Sequence, residues 1–195
     1  VIAGAMFVSP NVPMLFMGEE YGERNPFYYF VSHLDEELNR LVREGRKQEF
    51  RDFYEDTANV PNPDDSEAFE ASKLSWNIDN DAEKSAMYSF YKELIKLRKE
   101  HPVLKETNKD NLEISEEGKF FFFFRWQGEN RVVVFLNFEA GNRTGKISDR
   151  VKGTLKKILD STDFSKNGKP DSEKVEVSAS DEITVKKKSI AIFSK

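Results

Sequence analysis

Cysteine is absent from this 195-residue chain, and histidine occurs only twice, at His33 and His101. The first absence excludes disulfides, thiolate zinc sites and cysteine nucleophiles; it fits a reducing compartment, so a cytoplasmic setting is expected. The two histidines lie far apart in sequence without the paired spacing of a metal site, and neither a metal nor a cofactor is expected. No G-x-S-x-G, P-loop or G-x-G-x-x-G pattern occurs, which leaves hydrolase-elbow, nucleotide and dinucleotide readings without their motifs. Positive charge is not in excess: 30 Lys+Arg stand against 35 Asp+Glu, for a net charge of -5. The pI near 5.3 argues against nucleic acid or an anionic membrane as the main partner, and neither is expected. The apolar opening Val1 to Val8 is too short for a membrane span and lacks the basic start and cleavage region of a signal peptide. It reads as the last turns of a helix that begins upstream, ended by Ser9-Pro10. Secretion therefore stays open, and Asn142-Arg143-Thr144 matches a glycosylation sequon that matters only in a eukaryotic secretory setting.

The most informative stretch is Val12-Pro13-Met14-Leu15-Phe16-Met17-Gly18-Glu19-Glu20-Tyr21-Gly22. Met14 to Met17 has no polar alternation, which suits a strand covered on both faces, and Gly18 ends it. In parallel α/β folds chemistry sits just past the carboxyl ends of strands, where Glu19, Glu20 and Tyr21 stand. The alternative is a solvated loop in which one glutamate pairs with Arg24.

The pattern changes near residue 105. Before it, Met87, Phe90, Tyr91, Leu94, Ile95 and Leu97 recur at helical spacing between cap candidates Asp79 to Asp81 and the stop His101-Pro102, predicting a helix over 83–100. His101 is expected to cap carbonyls or face water. A second helix is predicted over 36–50, with Asp35 as its cap, Leu38, Leu41, Val42 and Phe50 as its buried face, and Gly45 weakening its middle. The polar stretch 52–80 between them, with a helical turn at 67–71, is long for a structureless loop. After residue 105, short strands are predicted over 112–115, 119–126, 131–138, 151–159, 174–178, 182–186 and 189–193, forming a small antiparallel β-sandwich. Gly128 suits the first central position of a type II′ hairpin turn. Phe120 to Phe124 is best explained as one strand with a face in the sandwich core and a face on the neighbouring domain. Asp160 to Gly168 lacks the ligand spacing of a calcium loop and reads as a hairpin connection.

Several blocks carry a resemblance, in order and spacing. They are Ser9 to Gly22, Asn25-Pro26-Phe27-Tyr28-Tyr29-Phe30, Val42-Arg43-Glu44-Gly45-Arg46, Ser72-Lys73-Leu74-Ser75-Trp76 and Leu97-Arg98-Lys99-Glu100-His101-Pro102. Together they resemble the malto-oligosyltrehalose trehalohydrolases of the α-amylase family, glycoside hydrolase family 13. The match covers about residues 1 to 104; 105 to 195 resembles the family's C-terminal β-domain in general form. The block Pro26 to Phe30 with Arg43 to Arg46 favours this group over the related branching enzymes.

The resemblance implies an α/β part followed by an all-β part. Residues 1–104 would be the end of a (β/α)8 barrel: the end of helix seven, strand eight at 12–17, an elaborated loop and helix eight. Residues 105–195 would be the β-sandwich. It further implies release of trehalose from maltooligosyl trehalose by cleavage of the adjacent α-1,4 bond. Such chemistry uses two carboxylates about 5 Å apart around an oxocarbenium-like transition state. In the family these come from earlier barrel strands, so no catalytic residue is expected in this chain, which should be inactive alone. Its partners would be the maltooligosyl trehalose or related α-glucan and the preceding barrel segment of the same protein. Glu19, Glu20, Tyr21, Phe27 and Tyr28 are the expected substrate neighbours, since sugar sites stack aromatic rings on pyranose faces and fix hydroxyls with polar groups. Trp76 reads either as a sugar platform or as a loop anchor, with anchor preferred. The alternatives are the same region of a branching enzyme and a non-catalytic carbohydrate-binding or scaffold module; the apolar helical opening counts against the module.

Overall fold

A computed structural model describes residues 1–50, 61–117, 120–146, 153–164, 176–178 and 181–195. It divides into two compact units, one of Val1–Gly22 with Asn77–Lys195 and one of Glu23–Trp76.

The first unit is organised by a six-stranded antiparallel sheet of β1 (Leu112–Glu117), β2 (Phe120–Gln127), β3 (Asn130–Asn137), β5 (Thr154–Asp160), β6 (Glu176–Ser178) and β8 (Ser189–Ser194). Its order is β1-β2-β3-β8-β5-β6, and β4 (Arg143–Lys146) pairs with β7 (Glu182–Val185) as a second, two-stranded sheet. The central strands are apolar throughout because both of their faces are covered. Phe122, Val133, Phe135, Ala191 and Phe193 meet Ile183 and Val185 of the small sheet in the sandwich core. Val132, Val134, Leu136, Ile190 and Ile192 face the helices instead. The phenylalanine run follows the same alternation: Phe122 and Phe124 join the sandwich core and Phe123 the helical one, while the side chain of Phe120 lies outside the described residues. Phe121 is partly exposed and meets the Phe138 ring edge-on at 5.8 Å. The positive φ of the β2–β3 turn falls on Gly128, at 57°, as a type II′ turn requires.

The helical cover consists of α1 (Ile2–Val8), α4 (Ala82–Glu100) and the single turn α5 (Pro102–Lys105). Asp81 starts α4 by accepting from the amides of Glu83 (3.0 Å) and Lys84 (3.2 Å). Phe90, Tyr91 and Leu94 form its buried face, and Met87 stays partly exposed. Gly4 lets α1 lie against β8: a Cβ there would stand 2.7 Å from Cδ1 of buried Ile190. Two arginines then satisfy carbonyls at the end of α1. Arg98 donates to Phe7, Ser9 and Asn11, and Arg125 donates to Val8 (2.9 Å), Leu104 (3.4 Å) and Glu106 (2.6 Å). Because these helices cover one face of the sheet, the boundary expected near residue 105 falls inside the first unit.

Three expectations are corrected. Val12 to Met17 is in no strand, and Val12, Met14 and Phe16 are 81%, 87% and 56% exposed. A parallel strand needs neighbours to ladder with, and every strand pair among the described residues is antiparallel. The His101 side chain does not cap carbonyls, though its backbone amide bonds to the Leu97 carbonyl at 2.9 Å: its Nδ1 accepts the Val103 amide at 3.2 Å, starting α5, and its Nε2 meets the Ser194 hydroxyl at 2.8 Å. Leu38 and Leu41 of α2 (Glu36–Phe50) are 41% and 51% exposed rather than buried, and the Phe50 side chain lies outside the described residues. The cap of α2 is as expected, with Asp35 Oδ1 accepting from Glu37 (2.9 Å) and Leu38 (3.2 Å). β1 runs on past the predicted end at 115, with Glu116 and Glu117 paired to Phe121 and Phe120. β4, four residues long with a glycine inside, was not foreseen.

In the second unit α3 (Ser66–Ala71) follows the capped α2, and two limbs run beside each other. The Tyr28 amide donates to Ser72 Oγ (2.8 Å), and Asn25 Nδ2 donates to the Lys73 carbonyl (2.7 Å). The Val31 amide bonds to the Pro63 carbonyl at 2.8 Å.

Candidate functional site

Glu19, Glu20 and Tyr21 form one 3-10 turn between two left-handed glycines, Gly18 (φ 83°) and Gly22 (φ 66°). The Glu19 carboxylate is committed locally: Oε2 accepts the Phe16 amide at 3.1 Å, and Oε1 accepts the Tyr91 hydroxyl at 2.8 Å. Burial and the bond to Glu19 push the Tyr91 phenol well above its ordinary range, so it remains a donor. Sequence reasoning placed Tyr91 in a core face without foreseeing this bond; the hint was a hydroxyl on a buried apolar stripe, where a partner is usually found.

Tyr21, expected at a substrate rim, is instead 1% exposed. Lys84 Nζ lies 5.3 Å from its ring centroid and donates to Asn77 Oδ1 at 2.8 Å. Lys84 is itself only 5% exposed, so ring and ammonium form a buried strut between the turn and α4, with the exposed Asn77 amide at its end. Glu20 is half-buried. Of the turn's three side chains it alone is neither sealed in the interior nor seen committed to a hydrogen bond.

Phe27 and Tyr28 belong to the second unit, with Phe27 50% exposed and Tyr28 half-buried. The blocks around them are mutually packed. The Arg46 guanidinium sits 4.6 Å over the Tyr29 ring, Arg43 pairs with Asp64 at 2.8 Å, and the Phe30 ring meets Phe69 at 5.2 Å. The two sequence blocks that favoured one group of enzymes thus support each other physically.

Glu23 fastens the two limbs near the ends of this unit. Its Oε2 accepts from the Ser75 amide (2.7 Å) and hydroxyl (2.8 Å), and its Oε1 from the amides of Arg24 (2.7 Å) and Asn25 (3.0 Å). Against the burial that would raise it, these donors hold the Glu23 carboxyl well below the usual carboxylate range. It is an anionic clasp with its acceptor capacity engaged. Among the described residues no group of three His, Asp or Glu is gathered as a metal-ligand set.

No family model matches the chain. A malto-oligosyltrehalose trehalohydrolase from Brevibacterium helvolum is 42% identical over 115 residues, 59% of this chain and 20% of the relative. One from Saccharolobus solfataricus is 41% identical over 136 residues, 69% of this chain and 21% of the relative. The chain thus spans about a fifth of the length of the curated relatives it matches. All of it superimposes on 30% of a candidate alpha-amylase from Salmonella typhimurium, with a TM-score of 0.71 and 27% identity. Trehalulose synthase from Pseudomonas mesoacidophila MX-45 shares the fold with a TM-score of 0.59 at 19% identity, 99% of this chain against 37% of that one.

Proposed function

Since this chain is a relative of the malto-oligosyltrehalose trehalohydrolases and has the fold of part of an α-amylase-family enzyme, we propose that it is the C-terminal part of a trehalose-releasing glycosidase. The enzyme cleaves the α-1,4 bond next to the terminal trehalose unit of a maltooligosyl trehalose. The carrying observation is the 41% identity over 136 residues to the Saccharolobus relative. The stacking of Arg46 on Tyr29 supports it, because this pair joins the two blocks that distinguish this group in the sequence.

In this reading the acid and the nucleophile come from another part of the protein, and this chain lines the site. Glu20 and Tyr28 are the substrate neighbours, with Phe27 beside Tyr28. Glu19 acts at one remove: bound to Tyr91 and to the Phe16 amide, it sets the turn that carries Glu20. Tyr21 anchors that turn from below through Lys84.

The test is release of trehalose from maltotriosyl trehalose by this chain and, in parallel, by a version extended upstream through a complete barrel. Activity in the extended protein alone is expected. Activity in the 195-residue chain by itself would overturn the assignment of the carboxylates elsewhere and return Glu19 and Glu20 to candidacy as an acid pair. Branched glucan from the extended protein, without trehalose, would replace hydrolysis by chain transfer.

A further inference from the structure

Among the described residues, positive φ occurs at two non-glycine positions, Trp76 (52°) and Lys188 (46°). Lys188 lies in the tight turn that carries the chain from β7 in the small sheet to β8 in the large one. Trp76 lies in no hairpin, and for so bulky a side chain this conformation is an outlier. Strain of this kind persists only where the surroundings impose it, and it gathers at ligand sites. Here Glu23 holds the preceding residue, Ser75, by both its amide and its hydroxyl. Trp76 is 68% exposed. Phe27, on the limb alongside, presents a second ring that is 50% exposed.

We propose that Trp76 is a stacking platform for a pyranose ring of the α-glucan, and so a specificity-determining residue remote from the bond that is cleaved. The proposal rests on the glycosidase reading above. A pyranose offers an apolar C–H face to an indole while its hydroxyls stay at the edge in water, which suits a rigidly presented, exposed ring. The clasp fixes the chain just before the ring, where Ser75 is held to Glu23 by two hydrogen bonds.

The experiment uses the barrel-extended protein with maltotriosyl trehalose, comparing wild type, Trp76→Gly and Trp76→Phe. Glycine accepts a φ of 52° without strain, so Trp76→Gly is expected to melt no lower than wild type. Its KM should rise roughly three- to tenfold, the worth of one aromatic stack, with kcat within about twofold because the lost binding is shared by ground and transition states. Trp76→Phe should recover most of the KM. An unchanged KM in Trp76→Gly would overturn the proposal. So would a lowered melting temperature with kcat and KM both impaired and no rescue by phenylalanine, which is how an anchor behaves. Trehalose release with an unchanged KM in the variant defeats this inference alone; no release by wild type defeats the glycosidase reading and this inference with it.

Discussion

Replacing Arg125 with methionine should detach the end of α1 and the start of the β-domain from each other. Arg125 is 1% exposed, and its guanidinium donates to the carbonyls of Val8 at 2.9 Å and Glu106 at 2.6 Å, with a longer contact to Leu104 at 3.4 Å. Burial and the nearby charge of Arg98, partly opposed by Glu106, push it down to about 10, so it stays cationic at neutral pH. Each buried carbonyl left without a donor costs about 1–3 kcal/mol. Two close bonds and one long one, less the desolvation that methionine no longer suffers, leave a net loss of about 3 kcal/mol. With a urea slope of roughly 2 kcal/mol/M, the unfolding midpoint should fall by about 1.5 M, followed by tryptophan fluorescence. Arg40→Met is the control, because that side chain is solvent-exposed in its pairs with Glu37 and Glu44, and its midpoint should not move. A fall below about 0.5 M for Arg125→Met would mean that the carbonyls find other donors, and the buried-tie argument would be wrong.

Gly4→Ala places a methyl 2.7 Å from Cδ1 and 2.9 Å from Cγ2 of Ile190, which is fully buried. The overpacking should cost about 1–3 kcal/mol, and Ile190→Val in the same chain should recover part of it by removing Cδ1, a coupling that additive melting data would disprove. Gly45→Ala is the opposite case: nothing lies within 4 Å of the added methyl, so α2 should gain roughly 0.5–1 kcal/mol; slower proteolysis of that segment is the readout, and faster cleavage would contradict it. Burial, with the charge of Arg125 nearby, holds His101 below its ordinary value. The unfolded chain therefore binds a proton that the folded chain refuses, and stability should fall as pH drops below about 6.5. His101→Asn keeps an acceptor for the Val103 amide without a titrating group, so its stability should respond less to pH over that window; an identical slope in both proteins would remove His101 from the account.

Local signals decided the elements they touch directly. Asp35 and Asp81 start α2 and α4 because their carboxylates reach amides two and three residues on. His101-Pro102 stops α4, and Gly128 makes the turn that registers β2 on β3. The continuous apolar character of the Phe122 to Phe124 and Val132 to Leu136 runs announced two covered faces, and the structure has both. These are properties of a few neighbouring residues, and the sequence states them. The grouping of blocks that carried the family resemblance was legible in the same way, as pattern and spacing.

What only the tertiary structure decided involves partners distant in sequence. Arg125 meets Val8 across 117 positions, Tyr91 meets Glu19 across 72, and Ser75 meets Glu23 across 52. No local pattern marks one arginine as buried or one glutamate as clasped, because those fates depend on which carbonyls and hydroxyls folding brings alongside. The apolar run Val12 to Met17 shows the same limit from the other side. Its composition suits a buried strand, but a strand is a relation between neighbours, and among the described residues no strand stands beside it to complete a ladder. Trp76 is the sharpest instance: its residue type was plain, yet its left-handed backbone, its exposure and the Glu23 bonds to the residue before it are visible only in the fold.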